Sequence, residues 1–473
     1  MQVVQFVIGI ILARLLAPED FGLIAMLTVF IALAEVFVDS GLSSALIQKR
    51  QVTVQDESTM FYVNIAIALA AYGLLWLVAP HIAGFYRQPA LQGLLRVLSL
   101  VIIIRSFAII QTTFLRKRLD FRSLFFRGLL SFPVSGAVGI TMAYRGCGVW
   151  SLVAQQLVCA SLNVACYWIR GRWRPRLIFS MGSFKALTGF GSRQLAAGLL
   201  DTLFQNIYHV VIGRLFSAVA LGYYARAVSL ERLAVNNLST VASRVVFPLF
   251  CKVHHDVERL RAVASKTLAM LAMIMFPVMV GLIVVATPLI SVVLSPKWLP
   301  SVPYFRLLCI VGMLYPLHVV NVNLLRARGE MGAFLKLEFL KKGLTVAAIL
   351  VTWRWGILAM VWGQVLLSVV NYYLNAHFGG RAIGFSWRSQ CREVFPYFLA
   401  TIVMATCTAF VGYLVRGNMT ARLLVQISTG VITYCVCCRM LRLPEFRDAW
   451  KWAVHCVESM GVRLGFAGTP GRA

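Results

Sequence analysis

Acidic residues, and charged residues in general, are scarce in this sequence. Asp and Glu number 17 among 473 residues, and charged residues of both signs make up only 13% of the chain. No connection between its apolar segments exceeds about 25 residues, which is too short for an independent domain of ~50 residues or more. The sequence also contains no P-loop, no HExxH segment and no nucleophile elbow. These absences argue against a soluble globular protein and against an enzyme with a separate catalytic domain.

Hydrophobic residues, by contrast, make up 60% of the chain, and the mean hydropathy is +0.79. Apolar stretches of ~20 residues, each able to cross ~30 Å of hydrocarbon as a helix, recur along nearly the whole sequence. We therefore predict an all-α, polytopic membrane protein with about 14 transmembrane helices. The predicted spans are 1–17, 22–47, 58–79, 91–115, 123–144, 148–169, 190–215, 219–250, 267–294, 302–325, 335–353, 356–378, 395–415 and 421–441.

The basic residues indicate how the chain is oriented. Lys and Arg number 45, which gives a formal net charge of +28. Most of them follow even-numbered spans, as in the segments 116–118 and 170–176, while the odd-numbered connections are nearly bare. The positive-inside rule then puts both termini in the cytoplasm. The charge is thus a topology signal, with anionic lipid as a secondary partner, and nucleic acid is not an expected partner.

An internal repeat divides the sequence. Three pairs of segments match in the same order with an offset of 200 to 210 residues: 14–22 with 214–222, 115–120 with 325–330, and 148–156 with 356–364. Each copy contains six spans, an even number, so both copies cross the membrane in the same direction as parallel repeats.

This repeat predicts the domain organisation. We expect an N-terminal lobe over 1–170, a cytoplasmic linker over 171–189, a C-terminal lobe over 190–380, two extra helices over 395–442 and a cytoplasmic tail over 443–473. Such symmetry suggests a substrate site between the two lobes.

Polar residues follow one face of the eighth span, on an arc of roughly 160° at 100° per residue. This face predicts contact with water or a polar ligand, because polar groups inside a membrane usually line a cavity. Hydrogen bonding between helices, with arginines that reach the membrane surface, is the alternative explanation. The candidate substrate-binding residues here are Arg226, Arg232, Asn236, Asn237, Thr240 and Arg244, joined by Gln194 and Gln205 of the seventh span.

Acidic residues and a histidine on the second and seventh spans are candidates for ion coupling. They are Glu35, Asp39, Asp201 and His209. A carboxylate in a membrane cavity can take up a proton or a cation. The alternative for Glu35 and Asp39 is a polar anchor at a helix end or a buried ion pair with a neighbouring helix, with Arg105 or Arg306 as partner. We expect no cofactor and no metal site, since Cys435, Cys437 and Cys438 lie in an apolar helix without His or carboxylate companions.

Seven segments, taken in order, resemble the Wzx-type polysaccharide flippases. They read IGIILARLLAPEDFGLIAM, FVDSGLSSALIQK, GVWSLVAQQL, LGYYARA, NNLSTVASRVVFPLF, KWLPSVPYFRLLCIVGMLYPLHVVNVNLLRARG and FLKLEFLKKG. The resemblance runs from Met1 to about Phe378 and is closest to the branch of the colanic-acid exporters.

The resemblance implies a two-lobed, V-shaped helical bundle of the multidrug/oligosaccharidyl-lipid/polysaccharide flippase superfamily, which also contains the MATE transporters. It implies transport of undecaprenyl-diphosphate-linked repeat units, for exopolysaccharide, capsule or O-antigen, from the cytoplasmic to the periplasmic leaflet of the bacterial inner membrane. A polysaccharide polymerase and export machinery are implied partners. Lipid II is disfavoured as substrate, because apolar or small residues around Ile8, Gly9 and Ala34 replace arginines of the peptidoglycan-precursor branch.

Two other functions remain open at this stage. A cation-coupled multidrug exporter of the same superfamily would need an acidic, aromatic-lined cavity, which the basic eighth span disfavours. A membrane-embedded polysaccharide polymerase would need a long periplasmic loop with catalytic residues, and the odd-numbered connections are short. The sequence therefore favours a flippase, with no enzymatic activity.

Overall fold

The computed structural model describes residues 2–39, 42–49, 52–118, 120, 130–171, 173–381, 383–415, 417–448 and 451. The side chains at 2–3, 42, 44–45, 170, 186–193 and 236–245 lie in helices but outside that description. Every regular element in these ranges is helical, which confirms the all-α prediction.

The chain forms two compact units, Met1–Arg226 and Ala227–Ala473. In the described part of the first unit there are ten helices and the beginning of an eleventh. They are α1 (Gln2–Leu15), α2 (Pro18–Asp39), α3 (Leu42–Gln48), α4 (Val54–Tyr86), α5 (Ala90–Leu98), α6 (Leu100–Ser106), α7 (Ile109–Lys117), α8 (Ser131–Tyr144), α9 (Trp150–Arg170), α10 (Met181–Leu215) and α11 (Ala218–Val253).

The second unit contains the rest of α11 and six further helices. They are α12 (Val257–Val293), α13 (Val302–Ala327), α14 (Met331–Thr352), α15 (Ile357–Arg381), α16 (Trp387–Leu414) and α17 (Met419–Met440). Two 3₁₀ turns, Pro296–Ser301 and Trp353–Trp355, precede α13 and α15.

The spans predicted from hydropathy fall on these helices. In the described part of the chain, nine helical stretches are long and apolar enough to cross a membrane, and the bent pair Ala90–Ser106 and Ile109–Lys117 would make a tenth. The protein is therefore a multi-pass membrane protein. The count of fourteen stays a prediction, because helices such as α11 and α14 are not among those ten.

Polar side chains fix where several helices begin. At the start of α4 the Thr53 hydroxyl accepts from the Asp56 amide at 3.2 Å, and the Asp56 carboxylate accepts from the Thr53 amide at 2.9 Å. This capping box satisfies two amides that the helix leaves without partners. Lys49 pairs with the same carboxylate at 2.6 Å. Further on, the Asp256 and Ser386 side chains cap α12 and α16 by accepting from the Arg259 and Ser389 amides.

The segment between α9 and α10 is bound to the first turns of α4. The Trp173 indole donates to the Glu57 carboxylate at 2.7 Å, and the Ser180 amide donates to the Thr59 hydroxyl at 3.0 Å. Helix α10 then begins at Met181, inside the predicted linker. It packs against α2, α3 and α4 within the first unit. The lobe boundaries derived from the repeat stay predictions.

Helices α2 and α11 cross within their first turns, inside the first unit. A β-carbon on Gly22 would lie 1.8 Å from the Ala218 carbonyl oxygen, and one on Gly222 would lie 1.9 Å from the Pro18 carbonyl oxygen. Both distances are far below van der Waals contact, so only glycine lets the two backbones approach this closely.

In the second unit, α13 packs against α12 and α15, and α12 packs against α16 and α17. A fully buried pair of amides joins α13 to α16. Asn321 Nδ2 donates to Gln390 Oε1, Gln390 Nε2 donates to Asn321 Oδ1, and both distances are 2.9 Å. The Tyr372 hydroxyl of α15 donates to the same Gln390 oxygen at 3.3 Å. Because buried amides are costly without partners, this network fixes how the three helices pack.

Candidate functional site

An ion pair inside the first unit joins α2 to α6. The Arg105 guanidinium of α6 donates to the Glu35 carboxylate of α2. The side chains are 52% and 36% exposed, so both charges border open space instead of being sealed in the protein. Of the two arginines proposed from the sequence, the structure selects Arg105. Arg306 instead donates to the Thr287 hydroxyl at 3.2 Å and to the Ile283 carbonyl oxygen at 3.3 Å.

A cavity of about 610 Å³ lies beside Arg105. Its volume is in the range of ligand-binding cavities. It is lined by Arg105, by the amides of Gln5, Gln155, Gln156 and Asn163, by the hydroxyls of Thr112, Ser135 and Tyr167, by Cys159, and by the apolar side chains Ile8, Ala108, Ile109, Phe132, Ala160 and Val164. Amides and hydroxyls both donate and accept hydrogen bonds, while the guanidinium donates only. The cavity can therefore bind sugar hydroxyls along its wall and an anionic group at Arg105.

Helix α9 supplies the polar wall of the cavity. Gln155, Cys159 and Asn163 follow one another at intervals of four residues, which puts them on one side of the helix. The Asn163 amide also donates to the Cys159 carbonyl oxygen at 2.9 Å, which orients its side chain along the helix.

Two glycines of α8 bring the cavity walls together. A β-carbon on Gly136 would lie 2.4 Å from Ile8 Cδ1 on α1, and one on Gly139 would lie 3.0 Å from Gln155 Cβ on α9. Helix α8 therefore lies close to both neighbouring helices. This packing is what sets α1 and α9 on either side of the cavity.

The polar side of α10 forms a separate surface. Gln194, Asp201 and Gln205 are all exposed, although the helix carries a candidate membrane span. Their spacing of seven and four residues puts them on one side of the helix. His209, one turn further, packs edge-on against the Tyr224 ring at 5.5 Å between centroids. None of these residues lines the 610 Å³ cavity.

Arg226 has structural partners in the first unit. Its Nη2 donates to the Gly9 carbonyl oxygen of α1 at 2.6 Å, and its guanidinium carbon lies 5.4 Å from the Phe21 ring centroid. The arginine thus holds the start of α11 against α1. Arg232 is exposed on α11, and Asp39 is exposed at the end of α2. The side chains of Asn236, Asn237, Thr240 and Arg244 lie outside the described residues, so the substrate-binding role of this face stays a prediction.

Several residues of the cavity were missed by sequence reasoning. Gln5, Gln155, Gln156 and Asn163 are polar residues in apolar helices, a pattern that is equally typical of hydrogen bonding between helices. Their spacing along α9 was the available signal. This spacing does not show which neighbouring helix lies far enough from α9 to leave a cavity.

These helices and the polar, arginine-containing cavity define a class of protein, the helical membrane transporters. The lipid II flippase MurJ, in an inward-closed conformation, is a solved structure with a similar fold. Its TM-score is 0.75 at 14% identity, and the match covers 94% of this chain and 97% of that one.

The sequence comparisons then give the family. The chain matches the family described as polysaccharide biosynthesis protein over residues 11–303, and it belongs to that family. It is similar to the teichuronic acid biosynthesis protein TuaB of Bacillus subtilis, at 29% identity over 92% of this chain and 90% of that protein. It is also similar to the lipopolysaccharide biosynthesis protein WzxC of Escherichia coli, at 26% identity over 86% of this chain and 84% of that protein.

Proposed function

We propose that this protein is a flippase that moves oligosaccharide units linked to undecaprenyl diphosphate across the bacterial inner membrane. The observation that carries the proposal is the cavity beside Arg105, where a guanidinium and four amide side chains meet inside a membrane-embedded bundle. The family, the relatives named for polysaccharide biosynthesis and the flippase-like fold support the same function.

The chemistry of such a substrate matches the lining. Arg105 offers a planar fork of donors to diphosphate oxygens. The amides of Gln155, Gln156 and Asn163 offer donors and acceptors to sugar hydroxyls. The polyprenyl tail stays in lipid, since it gains nothing by leaving hydrocarbon. Transport requires only that the site opens to one side of the membrane at a time, and no covalent bond is made or broken.

The remaining polar surfaces extend this path. The exposed side of α10, with Gln194 and Gln205, and the polar side of α11, with Arg226, Arg232, Asn236, Asn237, Thr240 and Arg244, are further contacts for the polar head of the substrate. In this proposal both termini are cytoplasmic, transport runs from the cytoplasmic to the periplasmic leaflet, and a polymerase and export machinery take up the product.

The energy source is a choice between two physical mechanisms. A proton or sodium ion could exchange at Glu35, Asp39, Asp201 or His209. The membrane potential could instead act on the charged carrier at ~2.3 kcal/mol per charge per 100 mV. The Arg105 guanidinium already compensates the charge of Glu35. Glu35 therefore does not offer the uncompensated carboxylate that a multidrug exporter would need for a cationic drug.

The test is a flipping assay in proteoliposomes. Purified protein is reconstituted with a fluorescent undecaprenyl-diphosphate trisaccharide, and a membrane-impermeant reductant reports which leaflet holds the label. We expect the wild-type protein to accelerate exchange between leaflets and the Arg105→Gln variant to slow it about tenfold or more, equivalent to ~1.4 kcal/mol of lost binding. Exchange no faster than in protein-free vesicles would contradict the proposal.

A further inference from the structure

Glu231 is a carboxylate in the middle of α11, in the second unit, that the polar arc of the sequence did not include. It lies 13 residues after the start of the helix at Ala218, about 20 Å along the axis. Its side chain is directed at α13, where a β-carbon on Gly312 would lie 2.5 Å from Glu231 Oε1. Gly312 is itself buried, 10 residues into α13. Any residue larger than glycine at position 312 would collide with the carboxyl group of Glu231.

The Glu231 side chain is half-buried, and Arg232, its neighbour in sequence, is the one charged group that acts on it among the described residues. Among the described residues no side chain forms an ion pair or a hydrogen bond with its carboxylate. Arg232 is next in sequence, and its side chain is exposed. On α13 the Glu231 carboxylate acts on the buried thiol of Cys309, one turn before Gly312. Val235 of α11 also packs against Gly312. Its Cγ2 methyl would lie 2.7 Å from a β-carbon at that position.

This environment contrasts with that of Glu35. An isolated ionised carboxylate is very costly in an apolar setting, and such a group takes up a proton unless a cation or several donors compensate it. Glu35 has Arg105. Glu231 has a glycine, a valine and a thiol on its packed side, and its sequence neighbour Arg232, although it acts on the charge, is exposed and forms no ion pair with it that the structure shows. A metal cation would need several oxygen ligands, and these neighbours offer none beyond the carboxylate itself. The ligand that fits is a proton.

We propose that Glu231 is a proton-binding site whose protonation is linked to transport, an inference that rests on the proposed function. The half-buried carboxyl group holds its proton most tightly while α11 packs against Gly312, and it releases the proton when α11 and α13 separate and more water reaches it. Each cycle of opening and closing then exchanges a proton, so a pH gradient biases the direction of transport. This site replaces Glu35 as the coupling residue.

The site is tested first without any substrate. Dicyclohexylcarbodiimide is an apolar reagent that adds to protonated carboxyl groups, and mass spectrometry of peptides from protein in lipid nanodiscs locates the product. We expect label on Glu231 that increases up to about tenfold per unit fall in pH where the group is mostly ionised. Exposed Glu258, in the first turn of α12, is the internal control and should stay unlabelled. Absence of label on Glu231 at every pH, or label independent of pH, would overturn the site.

The link to transport is tested separately in the flipping assay with an imposed pH gradient. We expect the gradient to change the wild-type rate and the Glu258→Gln rate alike, and to leave the Glu231→Gln rate unchanged. A Glu231→Gln variant that flips substrate and still responds to the gradient would overturn the linkage. If wild-type protein flips no lipid-linked oligosaccharide, the proposed function fails, and carbodiimide labelling still decides whether Glu231 binds a proton.

Discussion

Gly22 and Gly222 lie against each other where α2 and α11 cross, and each faces a carbonyl oxygen in the first turn of the other helix. The two glycines are 200 residues apart and occupy matching positions of the internal repeat. Their partners Pro18 and Ala218 match as well. Residues at equivalent positions of the sequence repeat therefore make equivalent contacts inside the first unit.

The crossing predicts a strong sensitivity to size. A methyl group at position 22 would lie 1.8 Å from a backbone oxygen that cannot rotate away. We expect Gly22→Ala and Gly222→Ala each to destabilise the protein by about 1–3 kcal/mol or to prevent its accumulation. Thermal unfolding in detergent measures the effect. Gly73→Ala in α4 is the control, because a β-carbon there meets nothing within 4 Å. Equal stability of all three variants would refute the close crossing.

The Asn321–Gln390 amide pair predicts that a single substitution lowers stability and that substitution of both residues partly restores it. Gln390→Leu leaves the fully buried Asn321 amide without its reciprocal partner, so we expect a loss of about 1–3 kcal/mol in the free energy of unfolding. Replacing both residues with leucine removes both amides of the pair and leaves only the Tyr372 hydroxyl without its acceptor. The double variant should therefore be more stable than the sum of the two single changes, as measured by chemical denaturation. Additive effects would show that the pair does not act as a unit.

The Glu35–Arg105 ion pair predicts a change in transport without a large change in stability. Both side chains are partly exposed, so removal of the charge in Glu35→Gln should alter the free energy of unfolding by less than about 1 kcal/mol. Arg105 would then be free to turn away from the cavity, and flipping should slow. The assay compares flipping rate and melting temperature in one preparation. A variant that melts early and flips normally would contradict this role.

For Arg226 we expect a substitution to lower stability, in contrast to Glu35→Gln. Its hydrogen bond to Gly9 and its contact with the Phe21 ring hold α11 to α1. Arg226→Ala removes a charged donor from the half-buried Gly9 carbonyl, so we expect a loss of about 1–3 kcal/mol in stability. A residue that served only to bind substrate would leave the melting temperature unchanged. Thermal unfolding without substrate separates the two roles.

The sequence predicted the membrane class, the helices and one ion-pair partner, because hydrophobic length and rare charges are local signals. It named Arg105 as a partner for Glu35 but could not choose it over Arg306, since that choice depends on how α2 and α6 pack. Arg226 was predicted to contact substrate from its place on a polar arc. Its contact with Gly9, 217 residues away, is invisible to helical periodicity.

Glu231 shows the same limit more clearly. The helical wheel excluded it from the polar arc of α11, because the wheel describes one helix at a time. What makes the residue distinctive is the glycine on α13 that gives its carboxylate room. Such a feature depends on two helices whose packing the sequence does not reveal.

The most direct test of the central claim uses cells that lack this protein. Undecaprenyl-diphosphate-linked oligosaccharide is quantified, and a membrane-impermeant lectin added to intact spheroplasts reports whether it faces outward. We predict that the oligosaccharide accumulates out of reach of the lectin, and that it becomes accessible when the gene is restored. Accumulation of single units exposed on the outer face would place the defect after translocation and contradict a flippase.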